Sequence, residues 1–163
     1  MTDDQPFTHL DATGQARMVD VTAKQPTPRI ARAAAFVRCS PEVVAALRNR
    51  TIPKGDAFAT ARIAGISGAK RTAELLPLAH VIGIHAASVD LDVTDDGVEI
   101  RASVSSVDRT GVEMEALTGA SIAALALVDM VKGMDRTVEI AHVRLLEKQG
   151  GRSGTWRRPV DRS

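Results

Sequence analysis

Aromatic side chains are almost missing from this chain of 163 residues. Phe7, Phe36, Phe58 and Trp156 are the whole set, and there is no Tyr. A core without large rings must be built from Ala, Val, Ile and Leu, so its elements have to approach closely and each residue buries little area. The shortfall predicts that part of the apolar surface is covered by other subunits. The length suits one domain and is enough to bury most of its apolar surface. A formal net charge of +1 gives no bulk electrostatic pull toward nucleic acid or membrane. No apolar run reads as long enough to cross a bilayer. The polar start, Met1-Thr-Asp-Asp-Gln-Pro, is no signal peptide. The single Cys39 cannot form an intrachain disulfide, which agrees with a cytoplasmic protein.

Residues 1–17 read as a mobile leader, 18–149 as a single domain and 150–163 as a Gly/Arg-rich flexible tail. Within the domain, Met18–Val21 reads as a short strand and residues 24–28 as a loop. The stretch Arg29–Cys39 is rich in Ala, and its end, Ala35–Cys39, alternates enough for a strand. Ser40-Pro41 is a helix start, with Ser as N-cap and Pro in the first helical position, and that helix runs to about Arg50. Lys54 to Glu74 reads as a second helix, with Lys70 and Arg71 in last turns that suit positive charge. Alternating residues over Ile82–Val93 and Val98–Val107 flank Thr94-Asp-Asp-Gly97, whose Asp-Gly pair signals a hairpin. Thr110-Gly-Val-Glu113 reads as a capping box that opens a third helix, running to Lys132 with Gly133 as its stop. Val138–Glu147 alternates as the last strand. The order strand–helix–helix–strand–strand–helix–strand predicts an α+β fold, an antiparallel sheet with helices packed on one face. A ferredoxin-like arrangement is its simplest form.

Charged groups stand at unusual places along this framework. The third helix has Glu113 and Glu115 at its start and Asp129 and Lys132 at its end. Glu115 and Asp129 are 14 residues apart, about 21 Å along a helix axis. One small substrate cannot touch both within one subunit, so either one of them is structural or different subunits supply them to one site. Taken alone, Asp129 and Lys132 make an i, i+3 surface ion pair, and Glu113 is explained by capping. Lys54-Gly-Asp56 puts a cation where the helix dipole disfavours it unless an anion or carboxylate is near. His80, after Pro77-Leu-Ala, lies in an apolar segment, where a lone histidine is more often structural than acid–base. His9, His85 and His142 show no metal-ligand spacing, and one cysteine allows no zinc set. No phosphate-binding glycine loop or nucleophile elbow is present. The residues alone therefore point to Lys, His, Asp and Glu as acid–base groups without a metal or cofactor motif.

These segments together resemble the MoaC family, the cyclic pyranopterin monophosphate synthases of molybdenum cofactor biosynthesis. The likeness runs from Ala16-Arg-Met-Val-Asp20 to Gly150-Gly-Arg-Ser-Gly154. Its strongest pieces are Lys54-Gly-Asp56, Ala61-Arg-Ile-Ala-Gly65, Ala69-Lys-Arg-Thr72, Pro77-Leu-Ala-His80, Thr110-Gly-Val-Glu-Met-Glu-Ala-Leu-Thr118 and Asp129-Met-Val-Lys132. The resemblance implies a lyase that converts 3',8-cyclo-7,8-dihydroguanosine 5'-triphosphate into cyclic pyranopterin monophosphate and releases pyrophosphate. It implies no redox cofactor, with magnesium at most carried in on the triphosphate, and ferredoxin-like subunits in a homohexamer, a trimer of dimers with sites at subunit interfaces. By motif, Asp129 is the leading acid–base residue, with Lys132, Lys54 and His80 beside it in catalysis. Leu78, Ala79, His80, Glu113, Met114, Glu115 and Lys70 would bind substrate, and Arg29 and Arg152 would add positive charge for the phosphates. The family's usual Pro-Leu-Cys-His-Pro is here Pro77-Leu-Ala79-His80-Val81, Ser67-Gly68 replaces a bulkier pair, and Gly119 replaces a common Ala. A non-catalytic paralogue that binds a nucleotide or a partner protein as an oligomer is the alternative these departures suggest.

Overall fold

β1 (Thr27–Arg38) runs through the centre of a five-stranded antiparallel sheet ordered β2-β3-β1-β4-β5. The structure, a computed structural model, describes residues 13–159. The other strands are β2 (Ala86–Val93), β3 (Gly97–Asp108), β4 (Glu139–Gln149) and β5 (Trp156–Arg157). Alternation puts Ala31, Ala33, Ala35 and Val37 of β1 and Val98, Ile100, Ala102 and Val104 of β3 on one face, where all are buried. Onto that face pack α2 (Ala57–Lys70) and α4 (Glu113–Val131); α1 (Pro41–Arg48) and the short α3 (Thr72–Leu75) complete the helices. The element order and the strand order make the fold α+β and ferredoxin-like.

The core is as the missing aromatics require. Apart from Val131 and Leu127, the fully buried face of α4 is alanine: Ala116, Ala120, Ala123 and Ala124. α2 meets it through glycines. A Cβ built on Gly65 would lie 2.8 Å from the Gly119 carbonyl oxygen and 2.9 Å from the Ala123 Cβ, and one on Gly68 would lie 2.7 Å from Ile122. The glycines at positions 65 and 68 are thus what let the two helices touch. α4 is also long and apolar enough to cross a membrane, with a mean hydropathy of 1.6, which corrects the expectation that no such run exists. Here its apolar character serves burial against the sheet and α2.

Several boundaries differ from those expected. Met18–Val21 pairs with no strand; only Ala16 makes an isolated bridge. β1 begins at Thr27, inside the expected loop and well before Ala35: β3 pairs with it from Thr27↔Asp108, while β4 joins only at Ile30↔Gln149. Pro28, which has no N–H to give, thus sits where β1 has a single neighbour. Ser40 caps α1 as expected, accepting from the Val43 N–H. α1 ends in a left-handed turn at Arg50, with φ 55°, and the Thr51 N–H reaches the Ala46 carbonyl at 2.9 Å. The second helix starts later than Lys54: Asp56 caps it by accepting from the Ala59 N–H at 2.9 Å, and Arg71 breaks it from α3. The third helix has no capping box. Its N-cap is Val112, without a side-chain bond, because the Glu113 carboxylate lies back against Gly111. Gly133 does not adopt positive φ, and Lys132 ends the helix in a right-handed turn. Beyond the glycine run, where the sequence suggests a flexible tail, Trp156 and Arg157 pair with Lys148 and Glu147. Residues 1–12 and 160–163, with Phe7 and His9, lie outside the described residues.

Gly65 and Gly119 make opposite predictions. Gly65→Ala forces α2 away from α4 and costs about 1–3 kcal/mol. At Gly119 the nearest atoms to a Cβ are 3.4 Å away, ordinary contact distance. Gly119→Ala therefore gains about 0.5–1 kcal/mol from helix propensity. Urea unfolding midpoints of the two variants will move in opposite directions.

Candidate active site

The N-terminal end of α4 closes a cavity of ≈ 350 Å³ against the segment after α3. Leu78, Ala79 and His80 line one side and Glu113, Met114 and Glu115 another, so six of the residues singled out in the sequence converge here. Val19 and Val21 close it from the unpaired segment before β1. His80 is held by this wall: its Nε2–H donates to the Val19 carbonyl at 2.7 Å, which leaves proton exchange to Nδ1. The ring is thus aimed by a hydrogen bond rather than by a proline at position 81, where Val81 is 91% exposed.

Glu115 is the most constrained group in the site. It is 3% exposed, and its Oε2 has no hydrogen-bond partner among the described residues. Burial pushes its carboxyl above the usual carboxylate range. Its own backbone N–H opposes this, Glu113 and Asp108 add to it, and His80 opposes it. A buried carboxyl whose acid form is favoured in this way is suited to share a proton with a polar atom of a bound heterocycle.

A larger cavity of ≈ 940 Å³ opens from the first and shares Lys24, Thr110, Gly111 and Glu113 with it. Lys24, Arg29, Arg109, Lys148 and Arg152 line it, against the carboxylates Asp20 and Glu113. The loops are locked together to make it. Arg29 donates from Nε to the Asp108 carbonyl at 3.3 Å, and Arg109 from Nε to the Lys24 carbonyl at 3.1 Å. Gly150 and Gly151 hold φ of 97° and 75°, and a Cβ on Gly151 would lie 1.8 Å from the Arg29 guanidinium. These glycines let the C-terminal loop press on Arg29 and bring Arg152 to the cavity. Five cations facing two carboxylates suit a polyanion. Sequence reasoning singled out Arg29 and Arg152 and missed Lys24, Arg109 and Lys148, because single cations in loops or on a strand carry no spacing signal.

The other predicted group stands at the far end of α4. Asp129 Oδ1 accepts from Lys132 Nζ at 2.7 Å, and Lys54 Nζ lies 2.7 Å from the Asp129 carbonyl and 3.3 Å from its Oδ2. The carboxylate that the sequence required near Lys54 is therefore Asp129. The two lysines hold the Asp129 carboxyl below the usual carboxylate range, Lys132 most strongly. About 21 Å of helix separates this triad from Glu115. The structure does not bring Lys70 to either group: it is exposed on the last turn of α2, with no ion-pair partner among the described residues.

The raised Glu115 value has a testable sign. Folding draws a proton onto Glu115, so its contribution is fully present below the ordinary carboxyl range and is lost as pH rises through the raised value. Glu115→Gln keeps the shape and a donor and removes this loss. As pH rises above the ordinary carboxyl range, the urea midpoint of the variant will therefore fall less than that of the unaltered chain.

The MoaC family model matches residues 18–151. A protein of Streptomyces avermitilis named cyclic pyranopterin monophosphate synthase is 57% identical over 152 residues, 93% of this chain and 89% of the relative. One of Pelobacter propionicus with the same name is 51% identical, covering 93% of this chain and 96% of the relative. A Mycobacterium bovis protein named cyclic pyranopterin monophosphate synthase 2 is 52% identical over 93% of this chain and 91% of its own length. Likeness of this extent, over the strands, α4 and the loops that build both cavities, means that the chain belongs to the MoaC family.

Proposed function

We propose that this protein is a cytoplasmic cyclic pyranopterin monophosphate synthase. It takes 3',8-cyclo-7,8-dihydroguanosine 5'-triphosphate to cyclic pyranopterin monophosphate and pyrophosphate. The observation that carries this reading is the joining of two unlike cavities. One is small and holds a buried carboxylic acid; the other is large and ringed by five cations. A purine-derived ring suits the first and a triphosphate the second. Ring opening and pterin closure need protons moved on and off nitrogen and carbon, work for a positioned Asp/Lys/His set. In the cyclisation a hydroxyl oxygen bonds to the α-phosphorus as its bond to the pyrophosphate oxygen breaks. The cations neutralise the charge that builds on that leaving group. Asp129, kept ionised by Lys54 and Lys132, is the base of the set. No redox cofactor enters this reading, and any magnesium arrives with the triphosphate.

The separation along α4 implies that the active unit is an oligomer. A second subunit brings its Lys54–Asp129–Lys132 triad to the cavity of the first, within a homohexamer built as a trimer of dimers. Leu125 and Ile63, both large, apolar and exposed on the helices, are surface that such packing would cover.

Turnover is measured by giving the purified chain the cyclic dihydroguanosine triphosphate and quantifying pterin product and pyrophosphate together. Equal amounts are expected. Asp129→Asn will lower turnover by about 10²–10⁴-fold while leaving assembly intact. Refolding Asp129→Asn together with Glu115→Ala will restore activity that neither has alone; no restoration would place both residues in the site of one subunit. Because Val19 already aims His80, Ala79→Cys with Val81→Pro will leave the rate within the same order of magnitude. A rate that appears only in that double variant would favour the non-catalytic paralogue.

A further inference from the structure

One carboxylate ties three parts of the sheet together near the C-terminal end of the chain. Glu147 is 8% exposed, and its two oxygens accept three hydrogen bonds. Arg32 Nη1 of β1 donates to Oε2 at 2.7 Å, while Gln149 Nε2 of β4 and Arg157 Nε of β5 donate to Oε1 at 2.7 and 3.1 Å. The bonds from Gln149 and then Arg157 hold its carboxyl below the usual carboxylate range, against the opposing effect of burial. The register explains this reach. Glu147 stands opposite Arg32 on one side and Arg157 on the other. Arg32 falls between the buried Ala31 and Ala33, so the pair lies on the outer face of the sheet. Lys148, the next residue, turns instead toward the substrate cavity.

We propose that Glu147 is a positioning residue for polyanion binding: it clasps β5 to β1 and so holds Arg152 at the substrate cavity. The role rests on the triphosphate reading of that cavity. Glu147 is not among the residues that line it, so it acts through the loop between β4 and β5. That loop needs a clasp. It bends through Gly150, Gly151 and Gly154, all at positive φ, and glycines lose the most freedom when they are ordered. β5 is only two residues long, too short to stay in place by backbone pairing alone. Glu147 supplies the missing hold through Arg157. Arg158 extends it, donating from its backbone N–H to the Leu146 carbonyl at 2.8 Å and from Nε to the Leu145 carbonyl at 2.7 Å. With β5 fixed, Arg152 is braced between Gly151, packed on the Arg29 guanidinium, and Ser153, which accepts from Lys148 Nζ.

Charge and position predict opposite signs here. Removing a carboxylate near a cation-lined cavity would by charge alone tighten a polyanion, whereas loss of the clasp weakens it. Inorganic pyrophosphate is the probe, added to the full chain in a calorimetric titration that needs no turnover. Glu147→Ala will weaken its binding about tenfold, the worth of one charge-assisted contact, and Glu147→Gln, which keeps an acceptor oxygen, will weaken it less. Arg152→Ala will weaken it by a similar factor. Glu147→Ala with Arg152→Ala will bind no more weakly than Arg152→Ala alone, because Glu147 acts through that side chain. Trp156, the sole Trp, reports the clasp independently, and its quenching by acrylamide will rise in Glu147→Ala. Equal or tighter pyrophosphate binding in Glu147→Ala, or additive losses in the double variant, overturns the proposal. Should Glu147→Ala fail to fold, Arg157→Ala leaves Glu147 with Arg32 and Gln149, cuts the clasp alone and must show the same coupling to Arg152. Turnover is read separately. An unaltered chain that binds pyrophosphate through Arg152 but makes no pterin defeats the synthase reading, whereas a chain that turns over with no loss in Glu147→Ala defeats only this one.

Discussion

The contact between α2 and α4 is the constraint on which the rest depends. A chain with almost no aromatic side chains cannot fill a thick core, so its helices must lie close to each other and to the sheet. Gly65 and Gly68 remove the side chains that would keep α2 away, and the alanines of α4 remove those that would keep it off β1 and β3. α4 then lies across the sheet as one helix of 19 residues. Its length fixes the distance between the Glu115 end and the Asp129 end. Without the close approach there would be no rigid spacing between the two ends.

Two carboxyl groups on this one helix are driven in opposite directions by their surroundings. Glu115 is sealed between the sheet and the loop that holds His80, where losing a proton would put an unpaired charge away from water. Asp129 is exposed and held between two ammonium groups, where losing the proton is favoured. Such environments favour the acid form of one carboxyl and the base form of another of the same residue class. The phosphate side works by the same logic at longer range, with loops locked through Arg29 and Arg109 so that their charge is in place before a ligand arrives.

Legibility in the sequence followed the range of the interaction responsible. Ser40-Pro41 and the Asp-Gly hairpin were readable because each is settled within a few residues. The strands followed from alternation, except where pairing set their ends, as at Thr27 and at β5. The capping box at Thr110 failed because the Glu113 side chain lies along Gly111 and the cavity instead of reaching the cap. Family likeness marked out Leu78–His80, Glu113–Glu115 and the Lys54–Asp129–Lys132 group. It also marked out Lys70, which stands at the end of α2. The Ala79 and Val81 departures look disruptive in sequence, yet the hydrogen bond from His80 to Val19 acts across 61 residues and is invisible to any local pattern.

By itself the sequence determined the α+β class, the order of elements, the small-residue core and the acid–base inventory. All of these follow from periodicity, residue volume and side-chain chemistry, which are properties of neighbouring residues. Only the tertiary structure decided that Lys54 meets Asp129, that Glu115 is buried with an unpartnered oxygen, and that lone cations from separate loops surround one cavity. Each of these is a matter of distance and of exclusion from water between residues far apart in the chain, and neither quantity exists until the sheet and α4 have packed.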